Sequence, residues 1–553
     1  MSSLKREKLI TQCFTDLGFK PRPGQVKLVD SILLSYLDDK KKNIILCGDT
    51  GMGKSLIAAV VGECLNTINK TKLAAVYLSS TNALVNQYAD SFEKLGDKKF
   101  FRIKGASNYK CGYFNSLGNE KATGEDCVRQ HLSEAEVEKH CGGCEFKRTR
   151  GLINNTEHLI TNYAYWMISK LWSEHMEERE LQVFDEAHLL NDVFCSQIAI
   201  TVSDYTIDSY IRDCGAMNGK GDGPAAQLVM YKNEIKTGRI NQQNYKEKIK
   251  KLCDIYTAIS QICDIQSRLV PDLTAKNKFS KIKSRCDGSS SRIEGFFKHQ
   301  YDHVFDDTVK GEFSIKPIFI SSMMNMLLGK YNLFMTATMS KDFAQTTMQL
   351  DPNSTAFIEA EQTFSASSRP LFFLGKNNLN YAAMKDPDTF TDMSKIIEHI
   401  VNHHSSEKGI ILAPSFYVTK LLASKIPKKI KVFEHEQGTA AAEAVFKFKS
   451  YNGPSILLSP SIFEGLDFPG DQSRYQIIVK APFPGLGDPR IKRIANDYGQ
   501  IYKEITLYKI LQGIGRSIRS TDDHAATYFL DRSCKTLFDS QLNLWKSRFD
   551  VKT

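Results

Sequence analysis

An α/β fold of two parallel-sheet domains is predicted by two series of short apolar strands and by a phosphate-binding loop closing the first strand. Asn43-Ile44-Ile45-Leu46-Cys47 runs into Gly48-Asp49-Thr50-Gly51-Met52-Gly53-Lys54-Ser55, and Leu56–Val61 then starts a helix. Strand, glycine-rich loop and helix in that order are the context a phosphate loop requires. Ala74–Leu78 reads as the next strand and ends in Ser79-Ser80-Thr81. Leu181, Val183 and Phe184 mark a third, ending in Asp185-Glu186-Ala187-His188. A second series comprises Gly409–Leu412, Ser455–Leu458 and Gln476–Val479, with Phe364–Pro370 as the junction. Short apolar strands alternating with helical periods imply parallel sheets.

At 553 residues the chain should form two to four domains. Its 42% hydrophobic and 25% charged residues are ordinary for globular cores. No apolar run approaches the roughly 20 residues that span a bilayer. Met1–Lys8 lacks the apolar stretch of a signal peptide, so no membrane partner and a cytoplasmic location are expected. The net charge of +10 suits a polyanionic partner but is also common in proteins without one. Thirteen cysteines without a secretory signal argue for buried thiols and one metal site rather than a disulfide framework.

Two segments break the alternation. Residues 104–150 are rich in Gly, Asn, Glu and Cys and have no strong period. Residues 203–316 read as helical, with Ile249, Leu252, Ile255, Ile259 and Ile262 on one apolar face. Lys276, Lys278, Lys281, Lys283, Arg285, Arg292 and Lys298 form a basic stretch there, either a solvated face or a nucleic-acid contact.

The loop's backbone N–H groups and the helix N-terminus can cradle phosphate oxygens. Lys54 should reach the β- and γ-phosphates of ATP, the Ser55 hydroxyl should ligate Mg²⁺, and Asp185 should be its strand-end partner. Glu186 is placed to act as general base on the attacking water. Gln512, Arg516 and Arg519, at spacings of four and three, fall on one helix face, where guanidinium groups can stabilise a transferring phosphoryl group. If they belong to the second domain, hydrolysis requires domain closure. Cys111, Cys127, Cys141 and Cys144 are separated by fifteen, thirteen and two residues. Only the last two make a zinc-type knuckle, so the spacing modestly favours an iron–sulfur ligand set over zinc. His131 and His140 are read as solvated neighbours rather than ligands.

In chain order these elements resemble the XPD/DinG group of superfamily 2 helicases. The resemblance also takes in Arg22-Pro23-Gly24-Gln25, Thr161-Asn162-Tyr163, Thr336-Ala337-Thr338 and Ala413-Pro414-Ser415-Phe416. Phe463–Gly470 and Pro482-Phe483-Pro484 complete it. It departs at Phe463, where tryptophan is common, and at Thr336, where serine is. It implies two RecA-like domains, the first divided as 1–103, 151–202 and 317–368, the second spanning 369–553. An iron–sulfur insertion would occupy 104–150 and a helical arch 203–316. Gln25 would contact adenine, Gly465 and Asp467 would add nucleotide contacts, and the four cysteines would hold a [4Fe–4S] cluster. With no nuclease-like segment before Met1, the exonuclease activity of longer relatives is not expected.

The activity implied is ATP-dependent 5′–3′ translocation on single-stranded DNA with duplex unwinding by a monomer. Forked DNA is an expected substrate, RNA–DNA hybrids are left open, and the setting would be a bacterial cell or a phage-infected host. Ser80, Thr81 and Ser415 end strands at the cleft and can hold backbone phosphates. Tyr109, with Tyr113 and Phe114, either stacks bases or packs a small core. Two other classes stay open: an ATP-gated clamp that does not unwind, and a phosphate-loop ATPase with no nucleic-acid partner.

Overall fold

A computed structural model describes the chain except residues 1, 50, 71–73, 93–99, 117, 127–133, 173–175, 215–222, 363, 381, 437–440, 461–466, 519–522 and 553. In chain order the strands are β1 (Asn43–Cys47), β2 (Ala75–Ser79), β3 (Phe100–Arg102), β4 (His158–Asn162), β5 (Leu181–Asp185) and β6 (Ile200–Ser203). Then follow β7 (His303–Asp306), β8 (Glu312–Pro317), β9 (Tyr331–Thr336), β10 (Thr355–Glu359), β11 (Pro370–Phe373) and β12 (Lys408–Leu412). The last are β13 (Lys431–Phe433), β14 (Ser455–Ser459), β15 (Tyr475–Ile478), β16 (Ala526–Phe529) and β17 (Asp550–Lys552).

Two seven-stranded sheets organise the molecule, ordered β10-β1-β9-β5-β2-β4-β3 and β13-β14-β12-β15-β16-β11-β17. Every pairing within them is parallel. The central strands β1, β2, β9 and β14 are buried along their whole length. That two-sided burial is why they read as continuous apolar runs rather than alternating ones. Register places the chemistry: Cys47 pairs with Thr336 and Asp185 with Met335, so β1, β9 and β5 end side by side. In open parallel sheets ligands bind at such carboxyl ends.

Two insertions leave the first sheet. Residues between β3 and β4 form short helices, including Gly112–Ser116, Glu134–Cys141 and Glu145–Leu152. Between β5 and β9, helices Asp204–Cys214, Pro224–Lys236, Tyr245–Leu269 and Leu273–Lys298 stand on an antiparallel sheet ordered β6-β8-β7. The periodicity expected at Ile249, Leu252, Ile255 and Ile259 is buried, joined by Cys253, Tyr256 and Cys263. β6 begins at Ile200 and pairs antiparallel with β8, so the helical segment is rooted on a strand pair that ends at Ser203. Part of the basic stretch is structural. Arg285 stacks 4.0 Å from the Tyr210 ring centroid and pairs with Asp213 at 2.5 Å, and Lys283 pairs with Asp287 at 3.1 Å.

The two halves meet along helices Pro489–Asp497 and Gly499–Ile514. Ile494, Ile501 and Tyr508 join the apolar core of the first half. Buried Arg490 donates to Pro317 O (2.9 Å) and to Asp192 (2.9 Å), fastening this seam beside the helical insertion.

Candidate functional site

The phosphate loop is built by close approach. A Cβ on Gly48 would lie 2.2 Å from Met52 Sδ, and Gly53 holds φ +85° with Gln25 Nε2 2.9 Å from where its Cβ would be. Both positions therefore favour glycine. Lys54, 9% exposed, donates to Gly48 O (3.0 Å) and Asp49 O (3.3 Å), so a buried ammonium faces the inside of the loop. Buried cations need compensation, and two carbonyls in a cradle of backbone N–H groups are chemistry that fits a polyphosphate. Ser55 stands in the first turn of the following helix, Lys54–Asn69. Thr50 lies outside the described residues.

Asp185 ends β5 and its backbone carbonyl accepts the Tyr163 hydroxyl at 2.5 Å. Burial, then the neighbouring Glu186 charge, pushes the Asp185 carboxyl up, with Lys54 opposing. The same burial would favour a hard cation beside this carboxylate, and the Asp185 carboxylate and Ser55 hydroxyl are oxygen donors of the kind Mg²⁺ takes. Glu186 adopts φ +53°, a left-handed conformation rare for a residue with a side chain. Its burial opposes ionisation, yet His188, Lys54, Arg516 and the Gln512 hydrogen bond together hold its carboxyl below the usual range. Gln512 Nε2 reaches Glu186 Oε2 at 3.3 Å, from the other domain. Arg516 lies 3.6 Å from Asp467 Oδ1. The structure thus brings Lys54, Asp185, Glu186, Gln512 and Arg516 to one cleft; Arg519 and Gly465 lie outside the described residues.

Gln25 accepts from Arg22 N (2.9 Å) and donates to Met52 O of the loop (2.8 Å). It lines a cavity of about 570 Å³ with Arg22, Gly51, Met52, Ile358 and Phe364, beside the phosphate loop. Two arginines, Arg369 and Arg548, were not expected at the site. Asp49 Oδ2 pairs with Arg369 at 3.4 Å and its Oδ1 with Arg548 at 3.9 Å. Arg548 also donates to Ala337 O (2.7 Å) and Glu359 (3.1 Å). His188 Nδ1 lies 3.0 Å from Thr336 Oγ1, and the Thr336 hydroxyl donates to Thr338 O at 3.1 Å. Arginines this far along the chain belong to no local pattern; only the fold reveals their target.

Three of the four cysteines expected as cluster ligands are described. Cys111 and Cys141 are buried and Cys144 is half-buried, while Cys127 lies outside the described residues. A Cβ on Gly112 would fall 3.2 Å from His140 O, so the Cys111 turn abuts the end of the helix that carries Cys141. Cys144 N donates to Cys141 O at 3.0 Å. Among the described residues no group of three His, Cys, Asp or Glu side chains is assembled as a metal site. The described residues therefore do not show the expected iron–sulfur ligand set, whose fourth member, Cys127, lies outside them.

The expected nucleic-acid contacts divide. The Thr81 hydroxyl accepts from Leu84 N (3.3 Å) and the exposed Ser415 caps helix Phe416–Ala423 by accepting from Val418 N (3.3 Å). Ser80 directly follows β2. Tyr109, for which base stacking and core packing were both open, is 8% exposed, its ring 5.3 Å from Phe146 and its hydroxyl accepting from Lys104 N at 3.1 Å. That burial and contact favour the small-core alternative. An amide chain, Asn162 to Asn82 (2.6 Å) and Asn82 to Asn108 (3.0 Å), links the ends of β2 and β4 to the cysteine insertion.

Comparison with known proteins agrees with this geometry. Residues 22–208 match the DEAD/DEAH box helicase family and residues 397–546 the Helicase C-terminal domain. The chain is 28% identical over 156 residues to the 3′-5′ exonuclease DinG of Bacillus subtilis, covering 27% of this chain and 15% of that protein. It is 29% identical over 163 residues to the ATP-dependent DNA helicase DinG of Photobacterium profundum, covering 26% and 23% respectively. The matches thus span less than a quarter of these relatives. A solved XPD helicase aligns at TM-score 0.62 and 16% identity over 96% of this chain and 100% of that one. Xpd4 of S. tokodaii aligns at TM-score 0.56 and 14% identity, over 96% and 100%. Two RecA-like domains carrying these motifs define a DEAD/DEAH-box protein of superfamily 2. Within that superfamily the chain is similar in sequence to the DinG proteins over about a quarter of its length and in fold to the solved XPD structures.

Proposed function

We propose that the chain is an ATP-dependent DNA helicase that translocates 5′ to 3′ on single-stranded DNA and unwinds duplexes. The observation that carries the reading is Gln512 of the second domain on Glu186 of the first, at 3.3 Å, with Arg516 acting electrostatically on the same carboxylate. A hydrolysis site completed by two domains couples each turnover to their relative movement.

In this reading the loop Gly48–Ser55 holds the phosphates of ATP and Lys54 neutralises their charge. Ser55 and Asp185 hold Mg²⁺, which when bound supplies further charge neutralisation at the phosphates. Glu186 orients the attacking water and takes its proton, while Gln512, Arg516 and Arg519 stabilise charge in the transition state. Gly465 and Asp467 join the nucleotide site on closure. Cys111, Cys127, Cys141 and Cys144 hold a [4Fe–4S] cluster that keeps the 104–150 insertion folded. The segments 1–103, 151–202 and 317–368 act as the first motor domain, 203–316 as an arch and 369–553 as the second motor domain. Ser80, Thr81 and Ser415 contact the DNA backbone, forked DNA is the substrate, and the motor acts as a monomer. RNA–DNA hybrids are a further substrate class to assay.

The test is ATP hydrolysis with and without 5′-tailed DNA, beside strand displacement on 5′- and 3′-tailed duplexes. DNA-stimulated hydrolysis with displacement of the 5′-tailed substrate is expected. Stimulation without displacement would indicate a clamp that does not unwind, and displacement of only the 3′-tailed duplex would overturn the polarity.

A further inference from the structure

Helix Gly499–Ile514 carries Glu504, Tyr508 and Gln512 at four-residue spacing, on one stripe that meets the first domain. Glu504 is 1% and Tyr508 2% exposed. A carboxylate removed from water is costly unless its oxygens are satisfied. Among the described residues no Lys, Arg or His pairs with Glu504; its bonds come from neutral groups. Its Oε2 accepts from Ser340 Oγ at 2.7 Å and from the Tyr508 hydroxyl, and its Oε1 from Gln500 Nε2 at 3.4 Å. The same Tyr508 oxygen accepts from Ser340 N at 2.9 Å. Burial, then the Glu504 charge, holds the Tyr508 phenol well above its usual range, so it remains a donor.

Ser340 lies two residues beyond Thr338, in the turn that follows β9. That turn also binds the site: Thr336 Oγ1 is 3.0 Å from His188 Nδ1, and His188 Nδ1 is 3.6 Å from Glu186 Oε2. Contacts and chain together close a circuit. It runs by side-chain contacts from Glu186 through His188 to Thr336, along the backbone of residues 336–340 to Ser340, crosses by hydrogen bonds to Glu504 and Tyr508, and returns along one helix to Gln512 and Glu186. Gln512 stands about one turn, roughly 6 Å, beyond Tyr508. A slip of the helix on the Ser340 turn would therefore carry Gln512 away from the carboxylate.

We propose that Ser340, Glu504 and Tyr508 are positioning residues, a polar junction that fixes the register of this helix so that Gln512 meets Glu186 when the domains close. This rests on the ATP-hydrolysis reading of the site. A buried charge held by hydrogen bonds is weak evidence for stability, and its better-attested use is to fix register. None of the three touches the cradle or the pocket beside it, so their effect should fall on turnover rather than on ATP binding.

Tyr508→Phe removes only the hydroxyl. Misplacement by about an ångström costs about 100-fold in rate, so a drop of roughly 10- to 100-fold in the kcat of ATP hydrolysis is expected. KM for ATP should stay within about twofold, because ground-state binding is untouched. Ser340→Ala should behave alike. Glu504→Gln keeps an oxygen that can accept both hydroxyls, so it should retain much of the rate and serves as the conservative variant if Tyr508→Phe folds poorly. The deciding readout is the Gln512→Ala background, where Tyr508→Phe should have no further effect, since residues acting through one group are not additive. An equal loss in that background, or a raised KM with kcat intact, would overturn the junction's role. Absence of any ATP hydrolysis by the unaltered chain would instead overturn the underlying reading, a result distinct from loss in the variants alone.

Discussion

Glu186 is the residue on which the site turns, and its backbone conformation says so. A non-glycine residue at φ +53° costs of order 1–3 kcal/mol and persists only where its surroundings fix it. Gln512 and His188 hold its carboxylate from opposite domains. Glu186→Gln should abolish DNA-stimulated hydrolysis yet still bind ATP, since Lys54, Ser55 and Asp185 remain. Lys54→Ala should lose hydrolysis together with nucleotide affinity, because the buried charge facing the phosphates is gone. Turnover assays beside a fluorescent-nucleotide titration separate the two, and near-normal turnover in either variant would sink these assignments. At this scale the sequence was informative wherever chemistry is contiguous. The loop Gly48–Ser55 and Asp185-Glu186 are local patterns. Arg369 and Arg548 on Asp49 are not, because nothing near residue 548 announces a partner about five hundred positions earlier. Tyr109 illustrates the other failure. An aromatic beside cysteines reads equally as a base platform or a core residue, and only its packing on Phe146 decides for the core.

At the scale of elements, the parallel strands were legible because two-sided burial writes them as unbroken apolar runs, as in Asn43–Cys47 and Ser455–Ser459. The antiparallel sheet β6-β8-β7 was not, since it pairs residue 200 with residue 315 across the whole helical insertion. The cysteine insertion lies between these cases. Its helices are short, five to eight residues in Gly112–Ser116, Glu134–Cys141 and Glu145–Leu152, below the length at which isolated helices hold together. Among the described residues, buried apolar side chains there are few, including Tyr109, Ala122 and Phe146. A segment with so small a core needs a staple. Cys111→Ser or Cys141→Ser should therefore remove iron from anaerobically purified protein and expose residues 104–150 to protease. Basal ATP hydrolysis should largely survive, because β1, β5 and β9 belong to the main sheet. Strand displacement should fail, because the Asn162–Asn82–Asn108 chain ties the insertion to the strand ends proposed to meet DNA. Stoichiometric zinc without iron would refute the cluster.

Across the whole molecule, the second domain grips the first at two kinds of contact, and they should fail in opposite ways. Arg516 acts on the Glu186 carboxylate, so it bears on the reacting charge. Arg548, 7% exposed, instead holds Ala337 O, Glu359 and Asp49, none of them a reacting group. Arg369 closes the same contact from the domain junction, its guanidinium 5.0 Å from the Phe549 ring centroid. Arg516→Ala should lower kcat by about 10³-fold if it serves as an arginine finger, with a much smaller change in ATP affinity. Arg548→Ala should do the reverse. Losing the tie leaves the Ala337 carbonyl short of a donor and Asp49 with Arg369 alone, and reduces the closed population. Apparent ATP affinity then falls in proportion to that population, while the rate at saturating ATP recovers because the chemical groups are intact. Steady-state kinetics over a wide ATP range, with inter-domain fluorescence transfer as the measure of closure, distinguishes the two patterns. A kcat loss in Arg548→Ala that saturating ATP does not restore would place Arg548 with the transition-state groups and remove the distinction between holding the domains together and completing the chemistry.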